Sequence, residues 1–458
     1  MLNYFAEWLG TSEPALRLLF SILLGFPLAF VHRCYVINLS PSMQHVYFTF
    51  CGVSLGYFNY GWDVTHSLVC VLVIYLVLLF AGGTLHSVIF SFVFLMAYLL
   101  IGYYCTATSD YDIKWSLPHC VLTLRLIGLA FDVFDGSKDP DKLPPDQKKT
   151  ALRCRPSVLQ ISGFTYFFGG FLVGPQFSMR RYLDFVEGKF DEKILNGNPS
   201  CVRAALRRLG LGMAVLSVYQ VGSLYVPEKF LLSEYYESMP FWKRLLGVGV
   251  WGQICLNKYV ACWLISEGSA ILSGLTYAGV DNDGRDRWDG CANVDLWGYE
   301  TTTTFDGIIK SFNINTNLWA AQYVFKRLKF LGNKLLSQFL TLLFLAVWHG
   351  LHSGYYVCFL NEFIVMKMER DVIKMINENS TSKAIVNNSA LKILLLVFNK
   401  VYVTVMFGYC VVPFVLLSVE RWWKAYASVY FIGHVIYLGW PLVQPLFRMA
   451  IPRTEKKE

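Results

Sequence analysis

Long apolar runs separated by short charged collars set the pattern of the chain. Runs of spanning length fall at 15–32, 42–58, 65–82, 86–104, 115–131, 158–177, 209–226, 245–265, 335–365, 391–418 and 427–447. An α-helix crosses the bilayer core with ~20 mostly apolar residues. Transmembrane strands would instead alternate over about ten residues, and only helices and closed barrels satisfy their backbone groups in lipid. The pattern therefore predicts an all-α polytopic membrane protein with about eleven transmembrane or re-entrant segments. Two runs depart from a simple span. The stretch 335–365 is long enough to tilt or break near Gly350 or Gly354. The stretch 158–177 holds Gly163, Gly169, Gly170, Gly174 and Pro175, which suit a bent segment better than a straight helix.

Charge adds an orientation, because cytosolic loops are rich in Lys and Arg. Basic residues crowd 137–157 and 178–208, on either side of 158–177. That segment is therefore expected to enter and leave on one face, with its irregular backbone buried in protein or lining a cavity. A third collar, 324–334, holds Lys326, Arg327, Lys329 and Lys334, and the C-terminus holds Arg448, Arg453, Lys456 and Lys457. Loop 366–390 carries sequons at Asn379 and Asn387, which suit the lumen. Simple parity then puts the C-terminus in the lumen, against its charge, so one of these two expectations must fail.

Composition narrows the class. Of 458 residues, 55% are hydrophobic and 16% charged, against roughly 25% charged in soluble domains. A chain with 35 Phe, 27 Tyr and 13 Trp cannot stay solvated as a disordered one. No linker divides it, so residues 1–458 read as a single membrane domain. Twelve cysteines are scattered without a CxxC pair, which is neither a disulfide framework nor a zinc pattern; buried thiols are expected. The segment Met1–Glu7 lacks a basic region, so the first apolar run is expected to be a retained anchor.

Few polar groups remain to carry chemistry. Gly52-Val-Ser54-Leu-Gly56 matches a nucleophile elbow, but it sits in a helix-length apolar run where small residues favour close packing. Of eight histidines only His349 and His352 lie close together, with no carboxylate beside them, so no metal is expected. Polar residues at membrane depth suggest function, and they concentrate in Trp348-His349-Gly350-Leu351-His352-Ser353-Gly354-Tyr355. At 1.5 Å per residue His349 lies roughly 20 Å from Lys334. Away from water an imidazole stays neutral and can act as a general base. Gly350 and Gly354 would thin the helix surface for an approaching substrate chain. Upstream, Asn313, Asn315 and Asn317 cannot share one helical face. They lead into Leu318–Phe330, an amphipathic stretch read as an interfacial helix with an Asx-type cap. The alternative is that one Asn amide reaches His349 or a developing oxyanion.

At these residues the chain resembles the membrane-bound O-acyltransferase family, whose two polar positions match His349 of Trp348-His349-Gly350 and Asn313. The family's usual Trp-Asn is Phe312-Asn313 here. Three ordered motifs resemble the lysophospholipid acyltransferase branch: Trp348–Tyr355, Tyr402–Phe407 and Tyr426–His434, with Tyr402, Phe407, Tyr426 and His434 at their fixed positions. A further Trp-Asp element has two candidates, Trp62-Asp63 and Trp288-Asp289. Gly163–Phe177 and Gly128–Gly136 look like the same branch, and the similarity runs over essentially the whole chain. The resemblance implies transfer of a fatty acyl group, preferably polyunsaturated, from acyl-CoA to the sn-2 hydroxyl of a choline, ethanolamine or serine lysophospholipid. It implies His349 as base and Asn313 as its partner, with acyl-CoA a co-substrate and no cofactor. It also implies residence in the endoplasmic reticulum membrane. Lys326, Arg327 and Lys329 are the candidate acyl-CoA contacts. Partners would be acyl-CoA, lysophospholipids and membrane lipids, not nucleic acid; a homodimer is open. A family member acting on diacylglycerol, a sterol or a protein would share His349, and a transporter would also use intramembrane His and Asn beside broken helices.

Overall fold

The computed structural model describes residues 2–8, 10–108, 112–190, 200–379 and 388–450, and these are helical nearly throughout. Among them, β-pairing is limited to one isolated bridge between Val280 and Asp286. Six stretches are long and apolar enough to cross a membrane: Glu13–Val36, Pro41–Ala81, Leu85–Thr106, Ser116–Gly136, Ser200–Leu232 and Leu391–Leu416. The pair Val419–Ser428 and Ile432–Met449, bent by 78°, would make a seventh. The number falls below the eleven apolar runs for physical reasons. Pro41–Ala81 holds two helices, Pro41–Tyr60 and Thr65–Ala81, joined by a tight turn at Gly61–Val64. The 33-residue helix Phe241–Ser273 is long enough to span, but Lys243, Arg244, Lys258 and Glu267 lower its hydropathy.

Of the alternatives for 335–365, a tilt or a break near Gly350 or Gly354, the structure has a break at Gly350. Helix Lys334–His349 stops at Gly350, whose φ of 133° is a conformation open chiefly to glycine. Helix Ser353–Glu378 then runs back along it. Phe339 meets Phe363 at 5.6 Å between ring centroids, and Gln338 reaches the Met366 sulfur at 3.6 Å. In one continuous helix Phe339 and Phe363 would stand about 36 Å apart. The two helices are therefore a hairpin, with its tip about 22 Å from Lys334. The collar and 366–378 therefore lie on one face, so the cytosolic expectation for 324–334 and the lumenal one for 366–390 do not both hold. Residues 366–378 are helix on the collar's own face, Asn379 is buried, and Asn387 lies outside the described residues. After Ser389–Leu416 and the bent pair, Trp440 donates its indole N–H to Asp371 at 3.2 Å, so the last helix returns beside Ser353–Glu378.

The stretch 158–177 forms only a short helix, Val158–Thr165, followed by turns. One side chain organises the rest. Arg125, midway along Ser116–Gly136 and 2% exposed, donates to the carbonyls of Phe164 and Thr165 (3.1 Å each), Gly170 (2.7 Å) and Pro175 (2.9 Å). Its guanidinium lies 4.3 Å from the Phe177 ring centroid. Unpaired carbonyls at this depth would cost several kcal/mol each, and a planar fork of five N–H donors meets several at once. The irregular backbone is thus buried in protein as far as Leu172, and Val173–Gln176 line an internal cavity. Gly52 packs against it so closely that a Cβ would lie 1.9 Å from the Tyr166 carbonyl oxygen, while Ser54 is exposed. That is helix packing, not a nucleophile elbow.

Apolar packing falls chiefly into two cores. The larger joins the N-terminal helices to the segment after Val158, through Phe48, Phe164 and Phe167. The second surrounds Ser389–Leu416, through Val403, Tyr409 and Tyr426.

Candidate active site

Helices from both cores line a cavity of about 910 Å³ that contains His349 and Asn313 together. Sites for small molecules run from about 300 to 1,000 Å³, so this one lies near the upper end. Its wall is mostly apolar and aromatic, with Tyr103, Trp263, Tyr355 and Phe414 among the rings and Lys258 and Gln220 among the polar groups.

His349 is the last residue of its helix, at the hairpin tip. The residue before it is pinned from both sides. Trp348 donates its indole N–H to the Cys120 carbonyl at 3.0 Å, and Tyr103 donates its hydroxyl to the Trp348 carbonyl at 3.2 Å. The imidazole itself packs against rings, with Trp348 at 4.6 Å, Phe414 at 5.0 Å, Phe359 at 5.4 Å and Tyr355 at 5.5 Å. Gly354 has a different task from the one expected. A Cβ there would sit 1.9 Å from the Pro413 carbonyl oxygen, and its N–H donates to Leu417 at 3.1 Å. The space it leaves admits a neighbouring backbone, not a substrate chain. His352 lines the cavity as well, beside Tyr355.

Asn313 heads the helix Ile314–Tyr323 in the left-handed region, at φ 50° and ψ 43°, and its side chain makes no capping bond. Asn is among the few side chains that accept this conformation readily. Its neighbours do structural work. Asn315 donates to the Cys291 carbonyl at 2.9 Å, and Asn317 to those of Ile309 and Phe312 at 3.0 Å. The amphipathic run 318–330 is not one helix either. It ends at Tyr323 and resumes as a tighter turn, Phe325–Leu331, because Val324 leaves the helical region.

The remaining motif residues lie outside the cavity and brace it. Phe407 meets Phe312 edge-on at 6.2 Å, and Phe312 also stacks on Tyr299 at 5.4 Å, fixing the backbone beside Asn313. Tyr402 bonds Tyr437 through their hydroxyls at 3.1 Å. Tyr426 accepts from Asn361 at 2.8 Å and donates to the Tyr409 carbonyl at 3.1 Å, while Tyr409 hydrogen-bonds His434. These bonds lock the bent C-terminal pair onto Ser389–Leu416. Of the two Trp-Asp candidates, Trp62 is exposed, whereas Trp288 is buried and donates to Ser200 at 3.1 Å.

None of Lys326, Arg327 and Lys329 lines the cavity. Arg327 makes a two-pronged ion pair with the buried Asp135 and lies 4.7 Å from the Phe131 ring. Lys326 pairs with Asp146, and Lys329 is exposed. Hydrogen bonding to Lys326 holds the Asp146 carboxyl below its ordinary range. Among the described residues, no three His, Cys, Asp or Glu side chains gather as metal ligands would.

Three contributors escaped the sequence reading: Asn293, Tyr103 and Arg125. Asn293 lies in no motif, and Tyr103 is one of many aromatics. Arg125 left a signal, being a lone cation inside the apolar run 115–131.

Comparison with known proteins agrees with this geometry. Residues 100–412 match the family described as MBOAT, membrane-bound O-acyltransferase family. The chain is 48% identical to lysophospholipid acyltransferase 5 of Mus musculus, over 99% of this chain and 93% of that protein. It is 43% identical to the Drosophila melanogaster protein of the same name, over 100% and 92%. Membrane-bound glycerophospholipid O-acyltransferase 1 of Mus musculus is 28% identical over 95% and 91%. With most of its length matched, and its His and Asn facing one cavity among apolar helices, the chain is a multi-pass acyltransferase that belongs to the membrane-bound O-acyltransferase family.

Proposed function

We propose that this chain is an acyl-CoA-dependent lysophospholipid acyltransferase of the endoplasmic reticulum membrane, working as one domain over its whole length. Its acceptors would be lysophosphatidylcholine, lysophosphatidylethanolamine and lysophosphatidylserine, and its preferred donors polyunsaturated acyl-CoA. The near-full-length likeness to proteins named lysophospholipid acyltransferase 5 supports the acceptor class. The observation that carries the chemistry is the single apolar cavity shared by His349 and Asn313.

A thioester is already activated, so a base and a polarised carbonyl suffice. His349 takes the proton from the sn-2 hydroxyl as that oxygen attacks the thioester carbon, a role typically worth ~10²–10⁴ in rate. Asn313 acts on the carbonyl oxygen or on the orientation of His349. The new C–O bond forms as the C–S bond breaks, and the proton passes from His349 to the departing thiolate. The anionic coenzyme A moiety would rest on the collar, against Lys326 and Lys329. Arg327, committed to Asp135, would hold the collar in place.

The test is product formation by purified protein from arachidonoyl-CoA and palmitoyl-CoA, offered three lysophospholipids, diacylglycerol and cholesterol. Product on the choline, ethanolamine and serine lysolipids, faster with arachidonoyl-CoA, is expected. Product only on diacylglycerol or cholesterol would keep the family and overturn the acceptor. No product at all would overturn the reading.

A further inference from the structure

We propose that Asn293 is a positioning residue that fixes which end of the Asn313 amide faces the cavity, so that Asn313 acts as an N–H donor. The inference rests on the acyl-transfer reading above and goes beyond it, because that reading leaves two roles open for Asn313.

The argument starts from a bond whose direction is certain. The backbone N–H of Asn315 lies 3.0 Å from the Asn293 side-chain oxygen. A backbone N–H can only donate, so the atom facing it must be Oδ1, which removes the usual ambiguity between amide oxygen and nitrogen. The other end of Asn293 is then its NH₂ group, and this points at Asn313, 3.4 Å away. A donor needs an acceptor, so the Asn313 atom that meets it is Oδ1. With Oδ1 committed, the NH₂ of Asn313 is the end left to the cavity.

The scaffold makes this arrangement rigid. Asn293 is 4% exposed, and its carbonyl accepts from the Ile314 N–H at 2.9 Å. Two residues on, Asp295 donates its backbone N–H to Ser311 at 2.9 Å, so 293–295 is laced to the segment that carries Asn313. Asn293 also does from outside what the N-cap side chain of Ile314–Tyr323 would normally do. It accepts from the second helical N–H, in a helix whose own N-cap residue, Asn313, makes no capping bond. Relieved of capping, Asn313 is free for the cavity. A donor there can polarise the thioester carbonyl and stabilise the oxyanion; an NH₂ group cannot accept a hydrogen bond from an imidazole N–H.

The test is Asn293→Asp. A carboxylate still accepts from the Asn315 N–H but cannot donate to Asn313, so the Asn313 amide should turn over. Two readouts are taken, with acyl-CoA binding and melting temperature as controls for folding. The first is turnover: kcat should fall about 10²-fold with the acyl-CoA KM within about twofold. In an Asn313→Ala background the same change should have under about twofold effect, because Asn293 acts through Asn313. The second is the infrared carbonyl band of bound acyl-CoA labelled with ¹³C at the thioester. It should lie lower in wild type than in Asn313→Ala, and Asn293→Asp should match Asn313→Ala. If the aspartate variant does not fold, Asn293→Ala, which also removes the donor to Asn313, is read the same way. An unchanged kcat and band, or equal losses in both backgrounds, would overturn the inference. A wild type that binds acyl-CoA but transfers nothing to lysophospholipids would instead defeat the underlying functional reading, and the infrared comparison would still decide this one.

Discussion

Trp348 and Cys120 are joined by an indole N–H to carbonyl bond of 3.0 Å, which ties the residue beside His349 to a helix far away in sequence. Among the described residues the imidazole packs against rings, so its direction depends on this tie and on the Tyr103 bond to the Trp348 carbonyl. Trp348→Phe keeps an aromatic ring but loses the indole donor, while the Cys120 carbonyl keeps its partner inside helix Ser116–Gly136. It should cost about 0.5–1.5 kcal/mol of stability and lower kcat at least about tenfold, since small misplacements of reacting groups are expensive. Thermal melting and steady-state kinetics check the two parts separately.

Arg125 holds four carbonyls of the irregular segment. Lys in its place keeps the charge but has a single nitrogen with three donors. Arg125→Lys should destabilise the protein by on the order of 3 kcal/mol, and Arg125→Met by more, because the carbonyls lose every donor that Arg125 supplies. A melting series in detergent that ranked the two variants equal to wild type would refute this account of the segment.

Gly354→Ala would drive a Cβ into the Pro413 carbonyl, where backbone rather than a flexible side chain must give way. Overpacking of this kind costs about 1–3 kcal/mol. The displaced hairpin tip carries His349, so activity should fall together with melting temperature. If the glycine served a substrate chain instead, KM would rise with stability intact.

The collar gives a pH prediction. Asp146 sits below its ordinary range through its bond to Lys326. A carboxyl depressed on folding contributes stability above its unfolded value of ~3.9, and loses it as pH falls through the folded value. The side chains are 40% and 36% exposed, so the pair is worth under about 1 kcal/mol. Wild type should melt slightly above Asp146→Asn at pH 7, and that gap should close below about pH 4.

How much of this was legible in the sequence differs by element. The glycines of 158–177 announced an irregular segment, and Gly350 and Gly354 marked where 335–365 could break, because backbone conformation is written locally. The direction taken after the break was not legible. A hairpin and a kinked span share one hydropathy profile, and the Phe339–Phe363 and Gln338–Met366 contacts separate them. His349 and Asn313 were found as polar residues in apolar company and as family positions. Their bracing was hidden, since Asn293 meets Asn313 through a tertiary hydrogen bond that no local pattern records.

The most direct test of the central claim is His349→Gln, a change that keeps the shape of the site and removes the base. Purified wild type and variant would be compared for acyl-CoA binding and for single-turnover transfer to lysophosphatidylcholine. The account predicts equal binding and a transfer rate lower by ~10²–10⁴. Equal binding with an undiminished transfer rate would contradict it.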